Sequence, residues 1–101
     1  MVEEVVVKRS EKFFYVDIPG DEKPLLKYRI EGRRMFLELT YTPPALRGRG
    51  YAAKLVKTAI RYAEKNGLKI VPVRSYLVYY FTKHPDKKNI LDEAYQGIAK
   101  E

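Results

Sequence analysis

The hydrophobic pattern of this chain changes period at Tyr51, and this change limits the folds that the chain can adopt. Before Tyr51, β-branched and aromatic residues form short runs separated by polar turns, which is typical of strands. After it, apolar residues recur at helical spacing on one face: Ala52, Leu55, Val56, Ala59, Ile60 and Ala63. The sequence therefore predicts a sheet followed by an amphipathic helix, in a mixed α/β (α+β) fold.

Four short segments before this helix carry the strand pattern. They are residues 5–7, 13–18, 25–30 and 35–42. Phe36, Glu38 and Thr40 alternate along the fourth strand, and we expect them on one face. Pro43-Pro44 ends that strand, because proline cannot donate to the ladder. The four strands predict an antiparallel meander.

The segments after the helix complete a crossover. Asn66-Gly67 predicts the end of the helix, because glycine accepts the left-handed conformation of a C-terminal cap. The short apolar run 68–73 predicts a buried fifth strand that runs parallel to the fourth. Ser75 and Asn89 are suited to cap two further helices, the first over residues 76–83. We expect all 101 residues to form one domain.

The composition excludes several kinds of site and favours an anionic partner. The chain has no cysteine, which excludes a disulfide framework, a thiolate metal site and a cysteine nucleophile, and its single histidine, His84, argues against a histidine-rich metal site. The formal charge of +7 attracts ligands that carry phosphate. The charged fraction of 33% without cysteine resembles the composition of thermophile proteins.

The chain also lacks the sequence signals of a membrane or exported protein. No stretch approaches the roughly 20 apolar residues that span a bilayer. Met1-Val2-Glu3-Glu4 lacks the basic start and apolar run of a signal peptide. We therefore expect a cytoplasmic protein with no membrane partner.

The connection between the fourth strand and the first helix, residues 47–52, is the most informative segment for function. Gly48 and Gly50 let the backbone approach a ligand closely, and no Ser, Thr, Asp or Asn stands within residues 43–53 to cap the helix. An uncapped helix N-terminus offers free N–H groups and a partial positive charge to a phosphate. An ordinary glycine-containing connection, solvated by its two arginines, would have the same composition.

The pattern Arg47-x-x-Gly50-x-Ala52 resembles the Arg/Gln-x-x-Gly-x-Gly/Ala signature of the GNAT acetyltransferases, in the same strand–loop–helix setting. The resemblance runs from about Phe13 to Leu91, through Lys83-His84-Pro85, and is to very short GNAT-like proteins of about this length. It implies a GNAT-like, mostly antiparallel sheet with a β-loop-α cofactor motif. The helices that larger GNAT enzymes carry between their first two strands would be missing, because residues 8–12 leave no room for them.

The resemblance implies acetyl-coenzyme A (acetyl-CoA) as the cofactor. The loop would hold its pyrophosphate, and main-chain groups at the end of the fourth strand would pair with its pantetheine. By resemblance, the cofactor-binding residues are Leu39, Tyr41, Thr42, Arg47, Gly48, Arg49, Gly50, Tyr51, Ala52, Ser75 and Tyr80.

The resemblance also implies direct transfer of the acetyl group to a primary amine, without a metal. Tyr80 would protonate the leaving sulfur, and Glu38 and Thr40 are the candidates on the fourth strand for handling the amine. From the residues alone, two structural roles remain open. Tyr80 would pack in the core, and Glu38 would be a solvated residue of the strand.

Three residues depart from the pattern of the short relatives. Leu39 and Tyr41 stand where many carry histidine and glutamate, and Arg74 stands where they carry cysteine. These departures favour cofactor binding over turnover, so a non-catalytic protein that binds acyl-CoA is the first alternative. A basic nucleic-acid-binding module ranks last, because no RNA-binding or helix-turn-helix signature is present. We expect a monomer or a homodimer.

Overall fold

The computed structural model describes residues 5–98. Residues 1–4, which carry the expectation about a signal peptide, lie outside the described residues, as do residues 99–101. The regular elements are β1 (Val7–Arg9), β2 (Phe13–Val16), β3 (Leu25–Glu31), β4 (Arg34–Tyr41), α1 (Tyr51–Asn66), β5 (Lys69–Pro72) and α2 (Ser75–Lys83). Short 3-10 helices lie at Pro44–Leu46, Pro85–Ile90 and Glu93–Ile98.

The strands form one sheet in chain order, from β1 to β5. β1 to β4 are antiparallel neighbours, and β5 pairs with β4 in parallel. This topology confirms the meander and the crossover that the sequence predicts, because a parallel partner requires a long connection and α1 supplies it. Among residues 5–98, no helix is long and apolar enough to cross a membrane.

Both helices bury their apolar faces in one core. α1 contributes the stripe that the sequence predicts, with Leu55, Val56 and Ala59 fully buried. Leu77 and Phe81 of α2 are equally buried in the same cluster. The strands supply the remaining large side chains, which include Phe14, Val16, Leu26, Tyr28, Met35, Leu37 and Ile70.

The first hairpin lies later in the chain than expected. β1 covers residues 7–9 rather than 5–7, because the turn that joins it to β2 is tight. The Ser10 N–H donates to the Phe13 carbonyl at 2.7 Å, and the Phe13 N–H donates to the Ser10 hydroxyl at 3.1 Å. β2 ends at Val16 rather than at residue 18.

Two predicted helix caps are wrong. α2 begins at Ser75 itself, with Arg74 as its N-cap and no side-chain cap, since the Val78 N–H donates to the Arg74 carbonyl at 3.0 Å. Asn89 does not start a helix. It lies within the 3-10 helix 85–90, and Leu91 then forms a parallel bridge with Ile70 of β5, which interrupts helical hydrogen bonding.

The expected alternation along β4 is also wrong, because the strand carries one extra residue. Lys27 of β3 lies opposite Leu39, but the next β3 residue lies opposite Leu37, so Glu38 has no partner there. Such a bulge reverses the alternation beyond it. Thr40 lies opposite the buried Leu26 and therefore points to the face that carries the helices, whereas Phe36 and Glu38 point to the other face.

Candidate functional site

A pocket of about 390 Å³ lies between the end of β4 and the N-terminal ends of α1 and α2. We call it the loop pocket. Its lining residues are Thr40, Tyr41, Thr42, Leu46, Arg47, Gly48, Gly50, Tyr51, Ala52, Ala53 and Tyr76. The fold thus brings most of the expected cofactor-binding residues together. Leu46, Ala53 and Tyr76 line the pocket without having been expected there.

The N-terminus of α1 presents unpaired amides to this pocket. Gly50, its N-cap, has φ 78° and provides no side-chain cap, and the first turn contains no acidic residue. The first helical hydrogen bond runs from the Lys54 N–H to the Gly50 carbonyl at 3.1 Å. The N–H groups of Tyr51 and Ala52 therefore have no acceptor within the described part of the chain. They form the electropositive site that a phosphate fits.

Two further features shape the loop that leads into α1. Gly48 has φ 82°, a left-handed conformation that residues with a side chain adopt only with strain. Arg47 folds back on the strand that precedes the loop, and its Nε donates to the Thr42 carbonyl at 3.0 Å. This bond closes the loop over the end of β4, so the position of the amides is set by the strand as well as by the helix.

β4 and β5 separate beside the loop pocket. Their pairing ends where Leu37 meets Pro72, and the Val73 N–H still reaches the Leu37 carbonyl at 3.0 Å. Arg74 then turns away into α2, while its Nε donates to the Glu38 carbonyl at 3.2 Å. β4 continues to Tyr41. The far end of β4 therefore has an edge free of strand partners among residues 5–98, and this edge opens into the loop pocket.

Of the three unexpected lining residues of the loop pocket, Tyr76 is the one with a titratable side chain. It lies in the first turn of α2 and is 37% exposed. Burial of the phenol raises the pKa of Tyr76 above its ordinary value, so at neutral pH the hydroxyl keeps its proton and can donate it. One signal could have identified Tyr76: it precedes Tyr80 by one helical turn, on the same side of α2 and closer to the loop.

Tyr80, the expected acid, lies in a second pocket, of about 350 Å³. We call it the helix pocket. It is lined by Lys57, Ile60, Arg61, Tyr80, His84, Asp86 and Lys87. Tyr80 is 5% exposed, and its ring stacks on the His84 imidazole with centroids 4.1 Å apart. Burial raises the pKa of Tyr80, and nearby Tyr76 and Asp86 raise it further. Most of the Tyr80 side chain therefore packs in the core.

The remaining expected residues lie outside the lining of the loop pocket. The Glu38 carboxylate lies on the other face of the sheet, 3.4 Å from the Arg29 guanidinium. Leu39 and Arg49 flank the pocket along the chain, and Ser75 precedes Tyr76 at the start of α2. Of the three expected catalytic residues, the fold places Thr40 in the loop pocket and separates it from Glu38 and Tyr80.

Comparison with known proteins identifies the class of protein that has this fold and loop. A family model described as GCN5-related N-acetyl-transferase matches residues 13–90. The chain therefore belongs to the GCN5-related N-acetyltransferase (GNAT) family, which confirms the resemblance seen in the sequence.

A solved structure supports the fold independently. The NMR solution structure of a GCN5-like protein from Staphylococcus aureus, named as a candidate N-acetyltransferase, matches with a TM-score of 0.69 at 24% identity. The match covers 86% of this chain and 87% of that chain, and it confirms the GNAT-like fold. No curated protein sequence matches the chain.

Proposed function

We propose that this chain binds acetyl-CoA and transfers the acetyl group to a primary amine. The observation that carries the proposal is the uncapped N-terminus of α1 in the loop pocket, where left-handed Gly48 and Gly50 leave amides free beside the open edge of β4. A pyrophosphate would accept hydrogen bonds from these amides. The adjoining pantetheine would extend along Thr40 and Tyr41, toward the gap between β4 and β5.

The transfer itself needs two proton movements. The amine nitrogen attacks the thioester carbonyl carbon, a base removes a proton from that nitrogen, and the C–S bond breaks as the leaving thiolate takes a proton. Five residues that line the loop pocket carry a hydroxyl, and Tyr76 is the one on α2; the others are Thr40, Tyr41, Thr42 and Tyr51. We assign the protonation of sulfur to Tyr76, and Tyr80 is the alternative. Tyr76 lines the loop pocket, whereas the role of Tyr80 rests on family resemblance.

The experiment that tests cofactor binding is titration calorimetry with acetyl-CoA. The parent should bind one equivalent saturably, and Gly50→Leu should lose this binding because the new side chain enters the pocket. Gly32→Leu is the matched control. Both glycines have positive φ, 78° and 60°, and a Cβ at either meets no atom within 4 Å, so both variants carry similar backbone strain of about 1–2 kcal/mol. Gly32 lies in the turn between β3 and β4.

Two results would contradict the cofactor proposal. Equal affinity of Gly50→Leu and Gly32→Leu for acetyl-CoA would show that the loop does not hold the pyrophosphate. A single-stranded oligonucleotide titrated at the same salt concentration forms the second arm, since nucleic acid would also exploit the positive charge of +7. Oligonucleotide binding without acetyl-CoA binding would favour the nucleic-acid module instead.

A second candidate function is acyl-CoA binding without catalysis. It is favoured by the side chains of β4, because Glu38, the one carboxylate of that strand, is paired with Arg29 on the face away from the loop pocket. Leu39 and Tyr41 supply no carboxylate or imidazole at the end of the strand. Release of free thiol from acetyl-CoA, followed with a panel of small amines, separates the two functions. Saturable binding with no amine-dependent thiol release would establish the binding protein.

A further inference from the structure

The face of the sheet opposite the helices is only partly covered by residues 5–98. Buried and partly exposed side chains alternate along β2 and along the first half of β3, so the core covers one face of these strands more than the other. Leu25 and Lys27 flank the buried Leu26 and therefore point away from the core. Val71 of β5 is 3% exposed, so the uncovered area ends at β4. We call the surface that β1 to β4 present on this side the open face.

The open face carries a row of large apolar side chains. Residues directly opposite each other on neighbouring strands share a face. Leu25 pairs with Tyr15 on one side and with Tyr41 on the other. The partners of Lys27 and Arg29 complete the set, which is Phe13, Tyr15, Leu25, Phe36, Leu39 and Tyr41. All six are at least partly exposed, and aromatic side chains are enriched at protein interfaces.

The size and shape of the open face fit another sheet. The 8 residues of β4 extend about 26 Å, and four neighbouring strands span about 19 Å. The flat footprint is therefore on the order of 500 Å², before the relief of the side chains is added. Each partner in a standard interface buries about 800 Å² of accessible surface, which is of the same order. Two sheets stack face to face about 10 Å apart, so the open face of a second copy matches this shape.

The charges of the open face complement one another across a two-fold axis. Lys27 stands opposite Leu39 and forms no ion pair within residues 5–98. Glu38, the extra residue of the bulge, precedes Leu39 on the same face, and its carboxylate lies 3.4 Å from the Arg29 guanidinium. A two-fold axis that passes between Lys27 and Glu38 places Lys27 of each copy over Glu38 of the other. Each contact then joins opposite charges.

We propose that the open face binds a second copy of this chain, face to face, in a symmetric dimer. The proposal does not rest on the binding of acetyl-CoA. Thr40 points to the helix side of the sheet, so the loop pocket stays accessible from that side in each copy. Tyr41 belongs to both surfaces, so the second copy stands beside one end of the loop pocket.

Sedimentation equilibrium tests the dimer with the full chain and without any ligand. The parent should reach twice the mass of one chain at high micromolar concentration. Lys27→Glu and Glu38→Lys should each raise the dissociation constant of the dimer at least tenfold, because each places like charges opposite each other. Lys65→Glu is the matched control, since it makes the same change in net charge on the exposed side of α1. A monomeric parent would overturn the proposal, and so would equal weakening by Lys27→Glu and Lys65→Glu.

A mixture of the two charge variants distinguishes a contact between copies from a change within one copy. In a 1:1 mixture, the new carboxylate at position 27 faces the new amine at position 38, and the native Lys27 faces the native Glu38. The mixture should therefore dimerise about as tightly as the parent, although each variant alone does not. A mixture that stays monomeric would contradict the proposal.

Circular dichroism checks that each charge variant is folded. If either one is unfolded, Tyr15→Ser takes its place, because it removes an apolar contact of the open face without adding a charge. Tyr15→Ser should weaken the dimer about tenfold, since a buried aromatic side chain contributes on this scale. Unchanged dimerisation of Tyr15→Ser would overturn the proposal.

Discussion

The loop pocket and the helix pocket are built from different parts of the chain. The loop pocket is lined largely by one continuous stretch, from Thr40 to Ala53, whose backbone amides and glycines face the cavity. The helix pocket is lined by long side chains from α1, from α2 and from the 3-10 helix Pro85–Ile90. Two tyrosines one turn apart mark the difference, because Tyr76 lines the first pocket and Tyr80 the second.

This difference separates recognition by the backbone from recognition by side chains. Amides at a helix N-terminus are fixed by the fold and keep their partial charge whatever the neighbouring side chains are. Cations on an exposed helix face depend on residue identity, and salt screens them. We therefore expect the electrostatic potential of the loop pocket to change little with most substitutions outside its glycines. The potential of the helix pocket should change with the removal of each charged side chain.

The two tyrosines should differ most in how much each one stabilises the fold. Tyr80→Ala should lower the free energy of unfolding by about 3–5 kcal/mol, because it leaves a cavity beside Phe81 and His84 in the core. Tyr76→Ala should cost about 1 kcal/mol or less, because the side chain is partly exposed. Urea denaturation followed by circular dichroism measures both. Similar losses in the two variants would remove the structural distinction between the tyrosines.

The next largest effect is on turnover, where substitution of Tyr76 should lower kcat more than substitution of Tyr80. Tyr76→Phe should lower kcat by about a hundredfold without changing acetyl-CoA affinity, since it removes only the hydroxyl in the loop pocket. Tyr80→Phe should leave kcat nearly unchanged. Thiol release under saturating acetyl-CoA measures kcat, and calorimetry measures affinity. A loss confined to Tyr80→Phe would return the role of acid to Tyr80.

The same difference explains which parts of the fold and site the sequence predicts. The meander, α1 and the loop motif are local patterns, and the structure has each of them. The bulge at Glu38 is set by pairing between β3 and β4, so it could not be read from alternation along one strand. It moves Thr40 to the helix side of the sheet and leaves Glu38 on the other.

Residues that come together only through packing were missed for a related reason. Tyr76 lines the loop pocket together with residues 40–53, which lie more than twenty positions earlier in the chain. Lys57 and Lys87 are thirty positions apart, so no spacing in the sequence indicates that they line one cavity. Family resemblance gave Tyr80 a role from its place in the motif, whereas its depth in the core depends on how α2 packs on β4 and β5.

The smallest expected effect is on the dependence of stability on pH. Burial raises the pKa of both tyrosines in the folded chain, and an unfolded tyrosine ionises near pH 10. Between the unfolded and the folded pKa, the folded state binds more protons, so the free energy of unfolding falls as pH rises. The contribution is complete below about pH 10 and is lost above it, by at most about 1.4 kcal/mol per pH unit for Tyr80.

Tyr80→Phe should therefore flatten the alkaline decline that the parent shows in urea denaturation, and Tyr76→Phe should flatten it less, since Tyr76 is more exposed. Parallel declines in the parent and in Tyr80→Phe would show that burial of this phenol does not oppose its ionisation, and would contradict the position of Tyr80 in the core.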